Sequence, residues 1–145
     1  MKIPEYVTVE EVRRVCKELK IRDWTTLTEP EVLPKEAGII LAEINSEGMH
    51  FDLDEFRKGL EVELEHGMQF AFANVTNNHP LLTGKIVLAH FMESLDYYKR
   101  LEVAEIEGDL HKAAIAKDLV KMEALYKELA AAKLKLCRAE SEELE

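Results

Sequence analysis

Glycine and proline are scarce in this chain, with 6 and 4 among 145 residues, and aromatic residues make up only 7%. That argues against a β-sandwich or barrel, which needs frequent turns and β-forming side chains. The two cysteines, Cys16 and Cys137, lie far apart. This excludes a disulfide scaffold or a cysteine-based zinc site and points to two free thiols in a reducing compartment. Basic residues are outnumbered, 19 Lys and Arg against 29 Asp and Glu, for a net charge of −10. Without a Lys/Arg cluster there is no electrostatic footprint for nucleic acid, and acidic membrane surfaces are poor partners for the same reason. No apolar run approaches the ~20 residues of a membrane span. The opening Met1-Lys2-Ile3-Pro4 leads into a polar segment, with no signal-peptide pattern. A soluble cytoplasmic protein is expected. No Gly-rich phosphate loop, Cys-x-x-Cys or nucleophile with a His partner is readable.

What is present favours helices. Apolar residues reach 47%, and Glu, Leu, Ala and Lys are abundant. We expect an all-α bundle of about five helices in a single domain, residues 1–145. Thr8 and Glu11 form a capping box for a first helix ending near Ile21. Trp24 sits in a connector and is expected to plug the core. Thr28 and Glu31 suggest a second box, although Pro34 suits a first helical turn and a later start. Asn45-Ser46-Glu47-Gly48 is a stop signal. Asp52 caps a helix running to about Ala73, and a polar loop leads to Pro80. A long helix, Pro80–Glu107, then makes an antiparallel hairpin with Phe51–Ala73. Gly108-Asp109 is expected to break it and cap a last helix over 109–138, followed by a frayed acidic tail at 140–145.

The last helix carries Ile115, Leu119, Met122, Tyr126 and Leu129 at alternating spacings of four and three, with Lys133 before Leu136. This reads either as an ordinary core stripe or as a coiled-coil seam with a second copy, hence an expected homodimer.

Chemistry-bearing residues concentrate in two mirrored patterns, Glu63-x-x-His66 and His90-x-x-Glu93. Each places a carboxylate and an imidazole one turn apart on one helix face. In an antiparallel hairpin the reversal lets both pairs converge. His90 and Glu93 fall in a stripe with Thr83, Ile86, Tyr97 and Leu101 that is otherwise mostly apolar. An unpaired carboxylate there would cost several kcal/mol. Gly59 and Gly67 bracket the first pair at a cost of about 1 kcal/mol each relative to Ala, which suggests a close approach. Three readings stay open. The four residues bind a divalent first-row metal (Fe, Zn or Mn), as carboxylate-bridged centres in helical bundles do. Alternatively they form a metal-free buried Glu–His–Tyr network, or they are scattered surface residues. Glu36 or Glu43 would add a carboxylate, and Asp96, Tyr97 or Tyr98 would orient a histidine. His79 and His50 are weaker ligands. Glu61 and Glu65 point away from the pair. A general base at His90–Glu93 has no recognisable substrate, so the chain is not assigned as an enzyme.

The stretches Glu55-Phe-Arg-Lys-Gly-Leu-Glu-Val-Glu-Leu-Glu-His-Gly67, Asn74-Val-Thr-Asn77, Thr83-Gly-Lys-Ile86, Ala89-His90 and Asp96-Tyr-Tyr98 resemble a family of small bacterial and phage proteins built on a domain of unknown function. The likeness covers about residues 51 to 102, with a weaker one at Glu10 to Ile21. It implies a shared site that includes Glu63, Glu65, His66, His90, Glu93, Asp96 and both tyrosines, and it implies no particular activity. This chain has Asn77-Asn78-His79-Pro80 where members often have Asn-Asp-Asp-Pro, so His79 either adds a ligand or replaces a cap. A looser similarity to ferritin-like and rubrerythrin-type carboxylate proteins rests on Glu-x-x-His and helices alone, and would imply iron with oxygen or peroxide chemistry. The rival expectation is a non-enzymatic interaction or scaffold protein, with the polar cluster as a structural network.

Overall fold

Side-chain caps set most of the helix starts. In the computed structural model, which describes residues 4–144, Thr8 Oγ1 accepts from the Glu11 N–H at 3.2 Å and opens α1, Val9–Leu19. Residues 1–3, where the leader question falls, and residue 145 of the acidic tail lie outside the described residues. Helix α1 ends at Lys20 in the left-handed region, φ 57°. Trp24 follows in a 3-10 turn, Trp24–Thr26, and is fully buried, as the connector reading expected.

The second expected capping box does not form. Helix α2 spans Pro34–Ile44, with proline at its first position and the Glu36 side chain accepting from the Leu33 N–H at 3.1 Å. Helix α3, Leu53–Gln69, starts at Asp52, which caps the Asp54 N–H at 2.6 Å. It ends four residues before Ala73, which belongs to a separate 3-10 turn, Ala71–Ala73. Helix α4 is Pro80–Glu93, α5 is Tyr97–Ala116 and α6 is Leu119–Glu143. Six α-helices and no strand among the described residues make the protein all-α.

Two expected boundaries shift. The long helix from Pro80 to Glu107 is broken at Ser94–Asp96, and Gly108 lies inside α5. The break before α6 falls at Lys117, which is left-handed at φ 57°, and Asp118, whose carboxylate caps the Lys121 N–H at 3.0 Å. Asp118 takes the capping role expected of Asp109. Helix α6 also continues through Glu143 rather than fraying after Arg138.

The chain divides into two compact units, residues 1–92 and 93–145. In the first, Phe56, Leu60 and Leu64 of α3 bury one stripe, and Val12, Cys16, Trp24, Ile40, Val87 and Phe91 complete the core. Each fully buried large side chain contributes roughly 1.5–3 kcal/mol of transfer free energy. Gly84 lets α4 approach closely: a methyl group there would lie 2.6 Å from Ile44 Cδ1 and 2.9 Å from Ile40 Cγ2. In the second unit α5 and α6 form a helical hairpin. Leu125, Leu129 and Ala132 are buried on α6, with Met122 and Leu136 half-buried at the flanking heptad positions. Lys133–Glu107 at 2.7 Å and Arg100–Glu140 at 2.8 Å tie the two helices.

Candidate functional site

The residues of the first mirrored pair project from α3 and His90 from α4. His90 Nδ1 lies 3.3 Å from Glu63 Oε1, with the side chains 26% and 16% exposed. His66, one turn beyond Glu63, lines the same cleft as Glu63, along with Gly67, Phe70, Asn74, Thr76, Thr83 and Ile86. The cleft encloses about 230 Å³. Glu93, the last residue of α4, is exposed.

The reason lies in the phase of α4. Its buried face is Pro80, Thr83, Gly84, Val87 and Phe91. His90 flanks that face rather than centring it, and the stripe does not continue into Tyr97 because the helix stops first. Among the described residues no group of three or more His, Cys, Asp or Glu side chains gathers to hold a metal ion.

Other expected participants are engaged elsewhere. Glu36 is buried and receives the Arg22 N–H and Nε–H at 3.0 Å each, the Arg22 guanidinium again at 2.7 Å, and the Leu33 N–H at 3.1 Å. Burial alone would raise its pKa, but the Arg22 hydrogen bonds and charge outweigh this and hold the carboxyl below its ordinary range. Asp96 is buried and pairs with Arg100 at 2.7 Å and with the Ser94 hydroxyl. Its pKa falls too, against the opposing effect of burial, because Arg100 and Ser94 donate to it. Tyr97 and Tyr98 meet edge to face with centroids 5.2 Å apart. Tyr98 is buried, and Glu65, Glu43 and His50 are solvent-facing or half-exposed.

His79 acts as a cap. Its Nδ1 accepts from the Leu82 N–H at 3.4 Å and its carbonyl from the Thr83 N–H at 2.9 Å, so it opens α4. Burial pushes its pKa down, while the Glu11 carboxylate works in the other direction.

The cleft wall is a feature that helical periodicity does not reveal. Asn74 Nδ2 donates to the Gly67 carbonyl at 3.1 Å and to Asn78 Oδ1 at 2.7 Å, and Thr76 Oγ1 donates to Asn74 Oδ1 at 3.2 Å. Asn77 and Asn78 are both left-handed, φ 48° and 59°, a conformation that Asn tolerates better than most residues. The bracketing Gly67 was the available signal: a methyl group there would sit 2.9 Å from Asn74 Nδ2 and closer still to Asn78 Oδ1. On the other side of this strut a second cleft of about 400 Å³ is lined by Trp24, Thr25, Met68, Asn77 and Asn78. A latch was also missed: Glu61 accepts from the Val32 N–H at 3.1 Å and from Arg57 at 2.6 Å, pinning the connector before α2 to α3.

The rim beside the strut is apolar. Phe72 is 95% exposed and Val75 80%, with Phe70 half-exposed. Among the described residues no helix is long and apolar enough to cross a membrane. No curated protein and no solved structure matches the chain. A family model described as a protein of unknown function, DUF5661, matches residues 12–107, and the chain belongs to that family.

Proposed function

We propose that this DUF5661 member is a non-enzymatic helical interaction protein in which Glu63 and His90 form a structural pair joining α3 to α4. The observation that supports this is the inter-helix contact of His90 with Glu63 at 3.3 Å, with Glu93 exposed and no group of three ligand-type side chains among the described residues. A part-buried carboxylate–imidazole contact of this kind orients two helices without any cofactor. The buried Cys16 and exposed Cys137 are both free thiols, which fits a reducing cytoplasm.

The partner we assign is a second copy of the chain. The inner stripe of α6 packs on α5, and the hairpin leaves Leu119, Val120, Tyr126 and Leu134 exposed on α6. Two such hairpins complete a four-helix bundle and cover those residues. Light scattering after size exclusion tests it. The wild type is expected to run as a dimer, and a Tyr126→Glu, Leu134→Glu variant as a helical monomer. A monomeric wild type overturns the assembly.

A second reading has one observation in its favour. Glu63 and His66 share a cleft and His90 meets Glu63, so three ligand-type side chains sit on α3 and α4. A closure of these side chains would build an iron, zinc or manganese site. Elemental analysis decides between the readings. The structural pair predicts less than about a tenth of an equivalent of any transition metal, and no rise in Tm on adding Fe, Mn or Zn.

A further inference from the structure

We propose that the cleft lined by Glu63, His66, Phe70, Asn74, Thr76 and Thr83 binds a small organic ammonium ion. The inference goes beyond the interaction role above and is independent of dimerisation. The lining selects by charge. Glu63 is its one carboxylate, and no Lys or Arg lines it among the described residues. An anion would meet the Glu63 carboxylate with no permanent cation to offset it.

A metal ion and an ammonium make different demands. A first-row metal needs several donors at bonding distance, and none of the described clusters supplies three. An ammonium needs one carboxylate, a few neutral acceptors and an aromatic face. The cleft has these: the Glu63 carboxylate, the Thr76 and Thr83 hydroxyls, and the Phe70 ring, whose centroid lies 6.4 Å from that of His66. A carboxylate has about four lone-pair sites, so Glu63 can accept from a ligand N–H alongside His90.

Size narrows the ligand further. The volume of about 230 Å³ is below the roughly 300–1,000 Å³ of sites for drug-sized molecules, which favours an amine of a few carbons over a peptide or nucleotide. The wall is held in place, because Asn74 is fixed by Gly67, Asn78 and Thr76. Such a preformed wall reduces the ordering cost of binding. The apolar rim at Phe70 and Val75 accommodates a short alkyl chain.

The test is an amide NMR titration of the full chain with propylammonium, alongside 1-propanol, propionate and Zn²⁺. Propylammonium is expected to shift the Gly67, Thr76 and Thr83 amides saturably with a millimolar Kd, and the two organic controls are not. Glu63→Gln is expected to weaken binding at least about tenfold. Phe70 is already half in solvent, so Phe70→Ala leaves the fold intact and weakens binding about threefold. Equal shifts with 1-propanol would mean an apolar cleft without charge selection and would overturn the proposal. So would saturation by Zn²⁺ alone, or no saturation by propylammonium up to about 50 mM. A dimer that forms normally while propylammonium fails to bind would sink this inference and leave the assembly reading intact.

Discussion

Replacing Gly67 by alanine sets two effects of opposite sign against each other. Within a helix, Gly→Ala gains up to about 1 kcal/mol in propensity. Gly67 lies two residues before the end of α3, so the gain is nearer 0.5 kcal/mol here. Against this, the new methyl group meets Asn74 Nδ2 at 2.9 Å and Asn78 Oδ1 closer still. Those atoms carry the 2.7 Å Asn74–Asn78 bond and lie beside the 3.1 Å bond to the Gly67 carbonyl. Losing two hydrogen bonds at about 1 kcal/mol each, plus displacement of a loop with two left-handed residues, outweighs the propensity gain. The expected net loss is about 2 kcal/mol, or about 4–8 °C in Tm for a chain of this size. Urea denaturation followed by circular dichroism gives the number. The decisive control is Asn78→Gly, which keeps the positive φ of 59° without strain and removes the obstructing carboxamide. In that background only the 2.9 Å approach to Asn74 Nδ2 remains, so Gly67→Ala is expected to cost about 1 kcal/mol less than in the wild type. The reasoning fails if Gly67→Ala stabilises the wild type, or if it costs the same in both backgrounds.

Arg22→Ala strands the buried Glu36 carboxylate and is expected to cost about 2–3 kcal/mol. That is discounted from the ~3–5 kcal/mol of a fully buried pair because Arg22 keeps 34% of its side chain exposed. Glu36 has a lowered folded pKa, so its contribution is complete above the unfolded value near 4.5 and is lost as pH falls through the folded one. Wild type and Glu36→Gln should differ in stability by a constant amount above that acid window, and the difference should shrink as pH falls through it. His79 also has a lowered folded pKa, which for an imidazole means stability is full above about 6.5 and falls as pH drops towards the folded value. His79→Asp, an acidic cap for α4, should abolish the step between neutral pH and that folded pKa, read by Tm from pH 7.5 to pH 5. Leu129→Ala, on the seam of the second hairpin, is expected to cost about 2–3 kcal/mol by calorimetry, at the low end for buried leucine because the site keeps 7% exposure.

Most helix starts were legible because caps are local chemistry. Thr8 and Asp52 each satisfy an N–H two or three residues on, and sequence spacing suffices to see that. Thr28 misled because the Leu33–Pro34 start, with Glu36 closing back on the Leu33 N–H, took precedence. The breaks at Ser94–Asp96 and Lys117 carry neither glycine nor proline, so nothing marked them. The first is fixed by a buried carboxylate whose partner, Arg100, lies in the following helix, and the second by a lysine in a left-handed conformation. Gly108 looked like a stop and is an ordinary exposed helical position with open space around it.

The sequence alone determined that the protein is helical and, through one specific motif block, which family it belongs to. Both follow from short-range properties: propensity, caps, and residues in fixed order. It also brought Glu63, His66, His90 and Glu93 to attention as one group. Tertiary structure decided what they became. The helix phase that buries Val87 and Phe91 turns Glu93 to solvent, Arg22 claims Glu36, and Arg100 claims Asp96. A buried carboxylate takes whichever cation or donor packing brings to it, and that choice depends on contacts between residues far apart along the chain.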